Sequence, residues 1–373
     1  METDNKNSLV IKIFIITLIL LIGLGIVMQY SASNKIALEK TGKSYYFLLL
    51  HLKHLLMGIL ICITFLFIDY KQIKKTVILL FGITFLIIIV PIIKKVTTNS
   101  SSPARWFSIG SSSIQTSEVA RLFLIMFLAN YITKHNSKIT DFKKGFLPAF
   151  AIIIIFIILI ALQPDFSSAF IIYFICMVTL YVGGAKFSHT MGVSSLMGVL
   201  GFIYVRIEPY RWKRVLTFLD PSDTKNSGYQ IHQSLISLSN GGIFGQGIGN
   251  SMGKNLFLPE ANTDFIFSII GEELGFIGST LFIALFFILF FSMHKIAKHV
   301  KNQFGQLIIF STALSIIIYA LFNAAVCSGI GPVTGLPMPF VSYSGSQILI
   351  NGLLLGIVFN IYLQERKSIK WKK

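Results

Sequence analysis

Residues 13–28 read Ile13-Phe14-Ile15-Ile16-Thr17-Leu18-Ile19-Leu20-Leu21-Ile22-Gly23-Leu24-Gly25-Ile26-Val27-Met28, without one charged side chain. With its flanks this run reaches the roughly 20 apolar residues that carry a helix across a bilayer. Similar runs recur at 77–93 and 150–162, and they set the character of the chain. Of 373 residues, 54% are hydrophobic and 13% charged, and the mean hydropathy is +0.75. An ordinary soluble domain is excluded, and an all-α polytopic membrane protein is expected.

Apolar segments bounded by charges, Gly/Pro or Ser/Asn clusters predict about ten transmembrane helices, near 10–30, 48–68, 76–93, 117–133, 147–163, 166–184, 189–206, 265–292, 305–327 and 344–363. Residues 1–373 read as a single membrane domain in which 207–264 is a large external loop between the seventh and eighth helices. Lys6 and Lys12 before the first run, with Ser31-Ala32-Ser33 after it, resemble a signal peptide. The charge pattern reads better with an uncleaved first helix. A cytoplasmic N-terminus puts 18 of the 32 Lys+Arg on the inside, among them Lys71, Lys74, Lys75, Lys143 and Lys144. The loop 328–343 then holds none, so both termini are expected inside. The +17 balance is spread between apolar runs, which gives no patch for nucleic acid. Cys62, Cys176 and Cys327 lie in or beside apolar runs without metal or redox spacing, and read as packing residues.

A loop longer than about 12–15 residues usually has structure or function of its own. The stretch 206–273 carries 7 of the 15 acids: Glu208, Asp220, Asp223, Glu260, Asp264, Glu272 and Glu273. Its Gly-rich centre, 240–250, allows tight turns. No GxxxxGK[ST] occurs, so nothing supports an ATP-driven pump.

Asp264 stands where the loop meets the eighth run. It reads either as a helix cap or as a carboxylate base whose affinity for protons is tuned by the apolar boundary. Glu260 reads as a partner of Lys254 or as a solvated side chain. Arg211, Lys213 and Arg214, beside Tyr210 and Trp212, suit either phosphate recognition or interfacial anchoring. Arg105-Trp106 invites the same two readings. Glu118 and Arg121 share a helix face at i,i+3 and form either a structural pair or the wall of a polar cavity. Asp165, after Gln163-Pro164, reads as a cap. The Pro- and Gly-rich stretch 329–345 cannot be a regular helix, and either lines a cavity or forms a plain external turn.

Taken together these blocks resemble the SEDS family of cell-wall polymerases, to which FtsW and RodA belong. The resemblance runs through Met28-Gln29-Tyr30-Ser31-Ala32-Ser33, Arg105-Trp106, Gln115-Thr116-Ser117-Glu118, Gln163-Pro164-Asp165, Pro209-Tyr210-Arg211, Phe218-Leu219-Asp220-Pro221, Gly228-Tyr229-Gln230, Leu258-Pro259-Glu260, Thr263-Asp264-Phe265, Gly271-Glu272-Glu273-Leu274-Gly275 and the segment ending in Ser342-Tyr343. Gly249-Asn250-Ser251 and 271–275 lean toward the FtsW division branch, and Pro332-Val333-Thr334-Gly335 toward RodA. FtsW is favoured.

The resemblance implies an inverting peptidoglycan glycosyltransferase that polymerises lipid II at the outer face of the bacterial cytoplasmic membrane, at the septum, with Asp264 as general base. It makes Arg105, Arg211, Arg214 and Lys254 candidates for pyrophosphate and sugar contacts. Glu260, Glu118, Arg121 and Ser342 complete the expected substrate-binding set. A divalent cation, Mg or Mn, could assist the leaving group, although no metal cage is visible. Implied partners are a class B penicillin-binding transpeptidase and other division proteins. The chain departs from the family pattern at Arg121, Ser344, Gln347, Lys53-His54 and Asn262. Competing functions are a lipid II flippase working through Glu118, Arg121 and 329–345, a RodA-like elongation polymerase, and a recruiting scaffold.

Overall fold

The computed structural model describes residues 2–97, 105–109, 112–219, 227–254 and 258–370. Asp220, Pro221, Asp223, Lys372 and Lys373 lie outside the described residues. Among the described residues a helix stands at each of the ten expected positions: α1 (Glu2–Thr41), α2 (Tyr46–Phe67), α4 (Val77–Thr97), α5 (Thr116–Lys134), α6 (Leu147–Leu162), α7 (Phe166–Val182), α8 (Phe187–Ile207), α11 (Ile266–His299), α12 (Gln303–Cys327) and α13 (Gly345–Lys370). Three shorter helices complete the numbering, α3 (Tyr70–Lys75), α9 (Pro209–Leu219) and α10 (Ser227–Gly241). Among the described residues eight helices are long and apolar enough to span a bilayer, α6 being one of them together with the π-helical turn Phe142–Phe146 that leads into it. The other two positions are held by α7, 17 residues long, and α5, which carries Glu118 and Arg121.

Two departures from the sequence reading have simple causes. Helix α1 continues well past Tyr30, because nothing in 31–41 breaks a helix until Gly42 turns to a φ of 73°. Its small polar residues Ser31 and Ser33 are buried rather than terminal. A two-stranded antiparallel hairpin, β1 (Trp106–Ile109) and β2 (Ser112–Gln115), adds the described strand structure to an otherwise helical chain.

The chain forms two compact units, each assembled from separate segments. The first holds Met1–Leu55, Leu196–Ser292 and Ile316–Ser344, and the second Leu56–Ser195, Met293–Ser315 and Gly345–Lys373. In the second, α5 packs against α4, α6, α7 and α13. Its aromatic centre is Phe81, Phe123 and Phe156, with ring centroids 4.8–5.7 Å apart. Phe123 and Phe156 are buried, so the contact adds to apolar burial.

In the first unit α11 is broken at Gly275, whose φ of 69° and ψ of −172° lie outside helical space. A break at membrane depth strands backbone groups that lipid cannot satisfy. The Gly-rich loop supplies partners on both sides of it. Gln246 and Gly247 N–H donate to the carbonyls of Glu272 and Glu273 at 2.9 and 3.0 Å, while Phe276 and Ile277 N–H donate to Gly242 and Ile243 at 2.9 and 3.2 Å. The loop expected to be external therefore lies along a spanning helix. Close approach demands glycine here, because a Cβ on Gly275 would collide with Gly245 N.

Gly275→Ala therefore combines a left-handed backbone, costing about 1–3 kcal/mol, with that collision. The expected outcome is a clearly lowered unfolding temperature in detergent. Gly23→Ala, where no atom lies within 4 Å of the added methyl, is expected to leave the temperature unchanged.

Candidate functional site

In the first unit, the approach to α11 is a tight turn built on Glu260. Its φ is 58°, and its carbonyl accepts the N–H groups of Thr263, Asp264 and Phe265 at 3.1–3.2 Å. The Glu260 carboxylate, exposed, accepts the Thr263 hydroxyl at 2.8 Å. Asp264 follows, half-buried, at the boundary with buried Phe265 and Ile266. Three successive carbonyls here are each held. Tyr343 N–H donates to Asn262 O at 2.9 Å, Ser342 Oγ to Thr263 O at 2.5 Å, and Asn323 Nδ2 to Asp264 O at 2.8 Å.

The carboxylate of Asp264 faces Gly335, where a Cβ would stand 3.4 Å from Oδ2. Gly335 has a φ of 70°, which favours glycine. Ser342, expected to touch substrate, is 1% exposed and also accepts Met338 N–H at 2.8 Å, so both of its hydrogen-bonding roles are used within the protein. The Tyr343 phenol is held above its usual pKa by burial and then by the Tyr46 phenol, so it stays protonated.

Lys254, in the same unit, is buried. Its Nζ donates to Glu273 Oε1 at 3.0 Å, Ser31 Oγ at 3.1 Å and the Gly249 carbonyl. Glu272 accepts Ser251 Oγ at 2.5 Å and the N–H groups of Met252 and Gly253 at 3.0 and 3.1 Å. Two carboxylates thus sit within a spanning helix because one ammonium and several loop N–H and O–H donors meet them there. Lys254 Nζ thus has three acceptors within the protein.

Arg211 and Arg214 occupy the amphipathic helix α9. The Arg211 guanidinium lies 4.1 Å from the Tyr204 ring centroid, and Arg206 lies 4.2 Å from that of Trp212. Arg214 Nη1 donates to Val333 O at 3.1 Å. Stacking fixes a guanidinium plane while leaving N–H groups at its edge for an anion.

The second unit contains Arg105, Glu118, Arg121 and Asp165. Arg121 donates to Glu118 Oε2 from Nε at 3.0 Å and from Nη2 at 2.5 Å. It also reaches Ser315 Oγ at 3.0 Å and Asn351 Oδ1 at 2.8 Å. The pair is buried and multiply bonded, as a structural clamp requires. Asp165 caps α7 through Ser168 N–H at 3.4 Å and also accepts Ser117 Oγ and Gln115 Nε2, each at 3.1 Å. Arg105 Nη2 donates to the Pro164 carbonyl, and its Nε is buried without a hydrogen-bond partner among the described residues.

Sequence reasoning missed Asn323, Asn351 and Ser315. Polar side chains in apolar helices were the available signal, but only long-range contacts reveal their partners.

This arrangement defines an all-helical, polytopic membrane protein with a half-buried carboxylate at the head of a broken helix. A family model described as "Cell cycle protein" (FTSW_RODA_SPOVE) matches residues 11–367. The chain belongs to this FtsW/RodA/SpoVE family and is a multi-pass inner-membrane protein. It is 36% identical over 366 residues to the "Stage V sporulation protein E" of Bacillus subtilis, covering 98% of this chain and 100% of the relative. It is 34% identical over 357 residues to the "Probable peptidoglycan glycosyltransferase FtsW" of Saccharophagus degradans, covering 94% and 92%. Its fold matches a chain from a peptidoglycan synthase complex with a TM-score of 0.75 at 23% identity, covering 94% and 97%. It also matches Thermus thermophilus RodA with a TM-score of 0.65 at 21% identity, covering 94% and 96%.

Removing one member of a buried pair typically costs about 3–5 kcal/mol. Arg121→Ala is expected to lower the unfolding temperature strongly. Arg121→Lys, which keeps the charge but loses the forked contacts, is expected to lower it less. Lys254→Met should likewise destabilise the purified protein, and adding Glu273→Gln should recover part of the loss. A Lys254→Met protein with native stability and only a raised KM would instead make Lys254 a substrate contact.

Proposed function

We propose that this protein is an inverting peptidoglycan glycosyltransferase that polymerises lipid II during septal cell-wall synthesis, with Asp264 as general base. The observation that carries the reading is the half-buried Asp264 side chain facing Gly335, on a backbone whose carbonyls at 262–264 are each held, in a chain whose relatives include proteins named peptidoglycan glycosyltransferase.

Asp264 takes the proton from an acceptor sugar hydroxyl as that oxygen attacks the anomeric carbon of the donor. The new glycosidic bond forms on the face opposite the departing group, and the bond from that carbon to the pyrophosphate oxygen breaks. Undecaprenyl pyrophosphate leaves. Arg211 and Arg214, in the same unit, supply fixed positive charge for the developing pyrophosphate. Orientation of two lipid-held sugars provides much of the remaining acceleration. Among the described residues no three His, Cys, Asp or Glu side chains gather to hold a metal ion, so a Mg or Mn ion is assigned no protein site and no step runs through one.

The distribution of Lys and Arg supports a topology with both termini cytoplasmic and Asp264 at the outer face. A class B penicillin-binding transpeptidase is the proposed partner, since the fold match comes from a peptidoglycan synthase complex. Flipping is the weaker reading, because Glu118 and Arg121 are locked by Ser315 and Asn351 rather than open to cargo.

The test is polymerisation of lipid II by the purified protein with its transpeptidase, read as glycan products on a gel. Asp264→Asn is expected to lower the rate about 10²–10⁴-fold, the usual contribution of a general base. Equal polymer from both proteins would remove Asp264 from that role.

A further inference from the structure

We propose that Asn323 and Ser342 are positioning residues that hold Asp264 in its reactive place by gripping the backbone that carries it. The inference rests on the reading of Asp264 as base. It assigns Ser342 a role in placing that base rather than in touching substrate.

Asn323 lies in the last turn of α12 and is 1% exposed. Its single amide nitrogen donates twice, to Asp264 O at 2.8 Å and to Leu336 O at 2.9 Å. A carboxamide NH₂ has two protons, and both are used on carbonyls from distant segments. One segment carries Asp264, and the other carries Gly335, whose position faces the Asp264 carboxylate. Asn323 thereby fixes the separation between the base and the backbone opposite it.

Ser342 acts one residue upstream. It donates to Thr263 O at 2.5 Å while accepting Met338 N–H at 2.8 Å, which ties the same two segments together a second time. The backbone N–H of Tyr343 holds Asn262 O at 2.9 Å and completes the grip on three consecutive peptide units. Three such bonds leave the 262–264 backbone little freedom to shift. Their donors are occupied: Asn323 Nδ2 has no proton to spare for a sugar, and the Ser342 hydroxyl gives its one proton to Thr263.

The chemistry at Asn323 is narrow. Aspartate has the same size but offers no N–H and would set an acceptor against two carbonyls. Alanine removes both bonds without adding repulsion. Misplacing a reacting group by about 1 Å can cost about 10²-fold in rate. Because the substrate-binding groups are untouched, the loss should fall on kcat rather than on KM.

The experiment compares Asn323→Ala, Asn323→Asp, Ser342→Ala and Asp264→Asn with wild type, as full-length protein in complex with the transpeptidase and with lipid II as substrate. It measures kcat, KM and the unfolding temperature of each. The expected result is a kcat loss of about 10–10²-fold for Asn323→Ala, at least as great for Asn323→Asp and smaller for Ser342→Ala, with KM within about twofold of wild type. Unchanged kcat in these variants beside an inactive Asp264→Asn would overturn the positioning role and leave the base reading intact. A raised KM at native kcat would make the residues substrate contacts and also overturn it. Full activity in Asp264→Asn would remove the base reading, and this inference with it. If Asn323 variants fail to fold, Ser342→Ala, which loses one side-chain bond to the base segment, decides between the same outcomes.

Discussion

Backbone hydrogen bonding is the constraint on which this structure depends. Within a bilayer a peptide group has no water to fall back on, so each interruption of a helix must be repaired by another part of the chain. At Gly275 the repair comes from the Gly-rich loop, through four backbone hydrogen bonds that join 242–247 to 272–277. Burial of Glu272 and Glu273 beside the break follows from the same docking. The loop delivers Lys254, Ser251 and the N–H groups of Met252 and Gly253 to two carboxylates that lipid could not accommodate.

The same logic shapes the turn that ends in Asp264. Irregular backbone continues from 258 to 265 and again from 328 to 344, and the two stretches satisfy one another through side chains and main chain. A carboxylate mounted on such a segment is carried by a scaffold rather than a mobile loop. The proposed general-base role of Asp264 would gain from this, because the base need not be ordered afresh at each turnover. Two positively charged side chains of the same unit are also restrained, Arg211 by Tyr204 and Arg214 by Val333 O.

Much of this was legible in the sequence. The ten long helices were visible as apolar runs, the short α3, α9 and α10 were not, and Asp165 was readable as a cap. The blocks that carry the family resemblance were also visible one by one. Their pairing was hidden, since it depends on contacts between residues far apart in the chain. Gln115-Thr116-Ser117 and Gln163-Pro164-Asp165 belong together in space: Thr116 bonds Gln163, while Gln115 and Ser117 bond Asp165. Ser31 belongs with Glu273, and Thr263 with Ser342. Lys254 and Ser342 became candidates for substrate contact through the family resemblance. Their partners turned out to be internal, which no local pattern encodes. Asn323 escaped for the converse reason, as one amide in an apolar helix.

If Asp264 is the base, the reaction needs its carboxylate form, so turnover must fall as the pH drops through the pKa that Asp264 has in the enzyme–substrate complex. The most direct measurement is the pH dependence of kcat for lipid II polymerisation by wild type and by Asp264→Asn at saturating substrate. The account predicts an acidic limb in wild type that is absent from the residual activity of the variant. The same acidic limb in Asp264→Asn would contradict it and assign the essential proton acceptor to another group.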